Sequence, residues 1–241
     1  ILIIKENLKT LAGALLIAIL IRSLVIQPFY IPSSSMEPTL LVGDRIFVSK
    51  YTYGYSKHSF PFSPNFSNNR FFPKSPKQGD LIVFKTPEDN RTDYIKRLIG
   101  LPGDEIQFIN GDLYINNKKI IRENINISEP IRCGNFKLSS KTFLETLPNG
   151  VKHLASYNAQ GTLQNTQKYK VPKNHFFLMG DNRDCSKDSR FLEEVGYVSN
   201  LNLVGKAKII FFSNDTYKGS LFKFWNIHQS IRLERTFQGL K

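Results

Sequence analysis

Three stretches of this sequence carry side chains able to do covalent chemistry. The first is Ile31-Pro32-Ser33-Ser34-Ser35-Met36-Glu37-Pro38-Thr39-Leu40, three consecutive serines between two prolines. Each proline fixes its own φ and pushes the residue before it toward an extended conformation, which predicts a stiff, extended loop rather than a helix. A serine attacks a carbonyl only when a base takes its proton. No His/Asp constellation is suggested by the sequence, so a different base is needed. Lys96 is the best candidate, in the strand pattern Tyr94-Ile95-Lys96-Arg97-Leu98-Ile99 with its bulky apolar flanks. An ordinary lysine, with a pKa of about 10.4, stays protonated at neutral pH. Burial removes its hydration and lowers that value by several units, and Ser–Lys pairs are a known variant of serine catalysis. The bland alternative is a strand lysine with its amine in solvent, and on sequence alone that is the commoner fate. The third stretch, Gly180-Asp181-Asn182-Arg183-Asp184-Cys185-Ser186-Lys187-Asp188-Ser189-Arg190, directly follows the apolar run Phe176 to Met179. It reads either as a solvated turn or as a rigid network of Asp–Arg pairs that holds Ser186 against another polar group.

These residues need elements to position them. From Leu8 to Ile26 the chain is almost wholly apolar, about the ~20 residues that cross a hydrocarbon core. A cleaved signal peptide would need a small-x-small site after the run, and Gln27-Pro28-Phe29-Tyr30 offers none. A buried core helix would sit oddly at a terminus followed by an extended loop. An uncleaved anchor fits best, with Arg22 one turn from its end and able to snorkel. Lys5 and Lys9 before the span predict a cytoplasmic N-terminus and a body outside the cytoplasm. After residue 30 no amphipathic helix is evident. Strands are predicted at Arg45 to Lys50, Asp80 to Lys85, Tyr94 to Ile99, Glu105 to Ile109, Leu113 to Asn116, Val151 to Tyr157, His175 to Met179 and Leu203 to Phe212, with a hairpin turn at Asn110-Gly111. The expected fold is mainly β: an N-terminal transmembrane helix, then an antiparallel β catalytic domain with an inserted lobe. The expected division is 1–7 cytoplasmic, 8–26 anchor, 27–117 and 174–241 catalytic, and 118–173 inserted lobe with little chemistry in it. Residues 56–78 form a long aromatic loop. It is either a disordered insertion or an interfacial loop whose Phe60, Phe62, Phe66, Phe71 and Phe72 enter lipid.

Composition narrows the partners. The 241 residues carry 33 basic against 20 acidic side chains, a net charge of +13. That suits an anionic lipid surface or nucleic acid. Nucleic acid is the weaker reading, because the lysines are spread out with no basic helix or zinc spacing. His58, His153, His175 and His228 form no ligand cluster, so neither metal nor cofactor is expected. Cys133 and Cys185 are far apart and lack a CxxC spacing, so free thiols are expected rather than a bridge.

Taken together, Ile31 to Leu40 with Gly43-Asp44, Asp93 to Asp104, and Gly180 to Arg190 resemble the bacterial type I signal peptidases, membrane-bound serine proteases that remove signal peptides from exported proteins. The resemblance runs from Leu8 to about Phe212 and is weakest at 56–78 and 118–173. It implies a Ser/Lys dyad with Ser35 as nucleophile and Lys96 as general base. It further implies an oxyanion hole from the Ser33 hydroxyl and the Ser35 amide, Ser186 orienting the lysine amine, and a supporting ion pair between Asp188 and Arg190. Ser34 falls at a variable position and receives no role. Cys185 stands where asparagine is common, leaving an oxidisable thiol near the site. Substrates of the family carry small residues before the cut, which a shallow pocket of Ile31, Met36, Leu40, Tyr94 and Ile95 would select. The implied location is the bacterial cytoplasmic membrane, single-pass, with the catalytic domain on the periplasmic side. A self-cleaving Ser/Lys repressor-type protease shares the dyad but needs a soluble DNA-binding module. A non-catalytic, membrane-tethered β domain that binds lipid or cell wall is the alternative from another class.

Overall fold

The computed structural model describes residues 2–65, 67–126, 130–158, 161, 164–215 and 230–240. Phe66 and His228 therefore lie outside the described residues. The chain begins as helix α1 (Leu2–Leu24), followed by β1 (Ile26–Tyr30), β2 (Asp44–Ser49), β3 (Leu81–Lys85) and β4 (Asp93–Gly100). A meander of β5 (Glu105–Ile109), β6 (Asp112–Ile115) and β7 (Lys118–Lys119) leads to β8 (Ile121–Ile125). The short pair β9 (Arg132–Cys133) and β10 (Phe136–Lys137) precedes the long hairpin β11 (Ser140–Thr146) and β12 (Lys152–Asn158). Then come β13 (Tyr169–Lys170), β14 (His175–Met179), β15 (Val198–Ser199), β16 (Leu203–Ser213) and β17 (Gln238–Gly239). The protein is mainly β, as expected.

Helix α1 has no amphipathic face. Ile3, Ile4, Leu8, Leu11, Leu15, Leu16 and Ile17 are all exposed. At ~1.5 Å per residue its 23 residues reach roughly 34 Å, long enough to cross a bilayer core. It ends two residues before the expected boundary, because Ile26 already pairs with Ser49 in the sheet. The missed strand β1 contains Pro28, which cannot donate to a ladder. Its place at the end of the strand order, pairing only with β2, makes the proline tolerable.

The principal sheet runs β1-β2-β16-β3-β4-β14-β15, with β17 added to β16. All of its pairings are antiparallel. Its two sides fill two cores. Ile31, Met36, Leu40, Ile46, Val48, Leu81, Val83 and Ala207 pack in one, and Tyr53, Ile82, Phe84, Leu98, Leu178 and Val198 in the other. The split follows the two-residue period of a strand: Leu81 and Val83 of β3 face one way, Ile82 and Phe84 the other. A sheet of order β13-β5-β6-β7 and one of order β12-β11-β8 carry the rest.

Two expectations need correcting. The serine loop is not extended throughout. After Pro32 it winds into tight turns, with the Glu37 amide donating to the Ser34 carbonyl at 3.0 Å and the Leu40 amide to the Met36 carbonyl at 2.9 Å. The prolines restrain only their own neighbours, and the buried Met36 and Leu40 pull the segment between them into the core. The cysteines are not free either: Cys133 and Cys185 form a disulfide with their Cα atoms 5.5 Å apart. Distance in sequence was a poor guide, because β9 packs directly against the 181–185 turn.

Candidate active site

Strand β4 supplies the centre of the site. Alternation sends the consecutive side chains of Lys96 and Arg97 to opposite sides of the strand, and both are almost fully buried. Lys96 Nζ lies 2.7 Å from Ser35 Oγ. Burial lowers the lysine pKa from 10.5 to about 8, with Asp188 and Asp181 pulling upward and Arg190 downward. The Tyr94 ring lies 5.3 Å from the amine. Arg97 instead grips Asp181 in a bidentate pair at 2.8 and 2.7 Å and donates to the Gly79 carbonyl at 2.8 Å. Burial alone would raise the Asp181 pKa, but the Arg97 charge and hydrogen bonds hold it below the usual carboxylate range. Thr39 donates to the same carboxylate at 2.5 Å, which fastens the serine loop to β4.

The Gly180–Arg190 segment closes over this pair. Asn182 donates its amide to the Ser35 carbonyl at 3.1 Å and its side chain to the Ser34 carbonyl at 3.0 Å. Asp188 and Arg190 form the expected ion pair at 2.8 Å, and Asp188 also accepts from the Gly180 amide at 3.0 Å. Burial would raise Asp188, but Arg190 keeps its pKa low. Gly180 packs so tightly that a β-carbon there would come within 3.0 Å of both the Ser186 side chain and the Ser35 carbonyl. Ser186 Oγ is buried beside the site, next to the Asp188 carboxylate that it helps to hold low, and makes no hydrogen bond to the lysine amine.

Ser33 Oγ stands 3.3 Å from Ser35 Oγ. A cleft of about 420 Å³ opens onto Ser33, Ser35 and Lys96, and its walls include Ile31, Met36, Tyr94 and Ile95. Leu40, expected in that wall, is instead buried beneath it in the core. Cys185 also lines the cleft.

Residues 4–212 match the family model described as "Signal peptidase, peptidase S26". The chain belongs to that family. Curated signal peptidase I sequences agree along almost its whole length. Those of Rickettsia typhi and Rickettsia canadensis are 39% and 41% identical to it, each covering 98% of this chain and 94% and 93% of its own. A crystallised signal peptidase I from Enterococcus faecalis V583 is 28% identical over 55% of this chain and 97% of its own, with a TM-score of 0.33. As a member of the peptidase S26 family the chain is a serine endopeptidase.

Several residues of this signal peptidase site were missed from the sequence. Ser34, given no role, accepts from the Gly134 amide at 3.1 Å, while Glu37 accepts from the Arg132 amide at 2.8 Å. Together with the disulfide these fasten β9 to the serine loop. Burial raises the Glu37 pKa, against the pull of Arg132 and Arg232. The 118–173 region also reaches further than expected. Glu145 of β11 receives Arg183 at 3.0 and 2.6 Å, and Tyr157 of β12 hydrogen-bonds to both. Arg183 Nε then donates to the Gly180 carbonyl at 3.2 Å, and the Ser156 amide to the Asp181 carbonyl at 2.7 Å. The alternation of β11 and β12 was the one available signal: it places Glu145, His153 and Tyr157 at inward positions, where a buried carboxylate demands a cation.

Proposed function

We propose that this chain cleaves signal peptides from exported preproteins, with Ser35 as nucleophile and Lys96 as general base, while α1 anchors it in the bacterial cytoplasmic membrane. The observation that carries this reading is the 2.7 Å contact between the Lys96 amine and the Ser35 hydroxyl, both buried at the end of an open cleft. A lysine titrating near 8 is neutral in roughly a tenth of molecules at pH 7, far more than an ordinary lysine offers.

In the proposed reaction neutral Lys96 takes the Ser35 proton as Oγ attacks the scissile carbonyl. The oxyanion accepts hydrogen bonds from the Ser33 hydroxyl and the Ser35 amide, each worth about 3–4 kcal/mol of barrier. That amide donates to no acceptor among the described residues. The Lys96 ammonium then protonates the leaving amine as the C–N bond breaks, giving the acyl-enzyme. Water attacks the ester with Lys96 again as base, and the proton returns to Ser35 Oγ. Ser186, buried next to Asp188 beside the site, is assigned to receive the ammonium while Ser35 is acylated. Asp188 and Arg190 hold that segment in place. Ile31, Met36, Tyr94 and Ile95 confine the substrate's small side chains, while Leu40 supports Met36 from below.

The orientation is supported by Lys5 and Lys9 toward the N-terminal end of α1, and by a disulfide, which persists in oxidising compartments outside the cytoplasm. The fully exposed Phe62 and the exposed Phe72 support contact of the 56–78 loop with lipid. The test is cleavage of a preprotein in detergent by wild type, Ser35→Ala and Lys96→Ala. Both variants should stay folded and uncleaving, and full processing by either one sinks the assignment.

A further inference from the structure

A second cleft, of about 350 Å³, opens beside the substrate cleft and shares Phe29 and Asp93 with it. Its walls come from Arg22 in the last turn of α1, Gln27 and Phe29 of β1, residues 58–63, the stretch from Lys85 to Asp93 with Asn90 and Arg91, and Val204 of β16. Three basic side chains thus line the cleft with one carboxylate, Asp93, which Lys85 already engages at 2.9 Å. Lys50 lies behind this wall, 1% exposed. Its Nζ donates to the Ser59 carbonyl at 3.2 Å and makes no other hydrogen bond or ion pair among the described residues. An ammonium has three donors, and one buried carbonyl compensates it incompletely.

The surplus of positive charge registers on both buried bases nearby. Burial brings Lys50 down to about 8, with Arg22, Lys85 and Arg70 adding to the effect against the pull of Asp93. Burial likewise brings His58 down to about 4, assisted by Lys57, Lys85, Arg70 and Lys50. A cleft that gathers one sign of charge on low-dielectric walls concentrates the opposite ion.

The surroundings say which anion. Arg22 ends a helix whose apolar side chains are almost entirely exposed, so the cleft sits at the depth where basic side chains meet headgroups. Tyr55 donates to the Leu24 carbonyl at 2.9 Å, fixing the helix end against the sheet. Phe62, on the rim, is wholly exposed, with Leu24 and Val25 exposed nearby. Cations at the centre with an apolar collar match a phosphate that carries acyl chains.

We propose that this cleft binds the phosphodiester of an anionic phospholipid headgroup and so holds the adjoining mouth of the substrate cleft at the membrane surface. The proposal rests on α1 as a membrane span. It is tested on the full chain in a maltoside detergent, titrated by calorimetry with dihexanoyl phosphatidylglycerol, dihexanoyl phosphatidylcholine and inorganic phosphate. Phosphatidylglycerol should bind saturably and about tenfold more tightly than either other probe. Arg22→Gln and Arg91→Gln should each weaken it about fivefold. Lys50→Met, with no exposed charge altered, should weaken it in the same direction. Equal affinity for the two lipids, or unchanged affinity in all three variants, overturns the site. Inorganic phosphate binding as tightly as phosphatidylglycerol overturns the lipid as its source. Alkaline carbonate extraction separates the two readings. A chain released from membranes sinks the anchor, whereas a chain retained without lipid preference sinks the site alone.

Discussion

Lys96 and Lys50 are both almost fully buried, and burial brings both to a pKa of about 8. Only one of them lies against something it can deprotonate. Lys96 contacts the hydroxyl of Ser35 at the head of a cleft; Lys50 contacts a backbone carbonyl behind a wall of cations. A lowered pKa thus marks a dehydrated amine, and the atom at hydrogen-bond distance separates the amine proposed as a base from the one proposed to face an anion.

The largest effect that sharpens this contrast is loss of the proposed base. Lys96→Ala should lower kcat by about 10⁴-fold or more, since members of a catalytic unit fail together. In wild type, kcat/KM should rise as pH rises through about 8, where Lys96 loses its proton. A profile rising only near 10.4 would break the contrast. Next comes the buried pair that supports the Lys96 side. Glu145→Gln leaves the Arg183 charge uncompensated and should cost about 3–5 kcal/mol of stability, read by denaturant unfolding. Removing the disulfide with Cys133→Ser and Cys185→Ser should cost about 2–4 kcal/mol and lower cleavage, because Cys185 lines the cleft. The smallest effect has the opposite sign. Lys50→Met relieves a desolvated charge and should raise the melting temperature at pH 7. The folded pKa lies below the unfolded one, so the wild type regains stability as pH rises from about 8 toward 10.5, and the advantage of the variant shrinks over that range. The pH dependence of cleavage should not move, which separates the two lysines by a single measurement.

What the sequence revealed was local. Strand alternation and turn residues located β3, β4, β5, β14 and β16 to within a residue or two, because each has either an apolar run or a clear period. Lys96 and Ser35 could be proposed as a dyad because Lys96 sits in such a run and Ser35 in a proline-bracketed loop. The missed features depend on pairing across long separations. Strand β1 was hidden by Pro28, which only an edge position excuses. The disulfide needed β9 to be known to lie against the 181–185 turn. The Glu145–Arg183 pair joins residues 38 apart, and neither looks unusual in its own segment. Lys50, at the end of a predicted strand, gave no sign of being buried.

Gly180 has a consequence for handling the enzyme. Its φ does not lie in the left-handed region, so backbone torsion alone would admit alanine. Space does not: an added methyl group meets the Ser35 carbonyl and Ser186 together. Gly180→Ala would therefore keep every hydroxyl and amine of the site while wedging its two halves apart. Such a variant offers a way to capture an uncut preprotein on a chemically complete but misaligned enzyme, which deletion of the Ser35 hydroxyl cannot do.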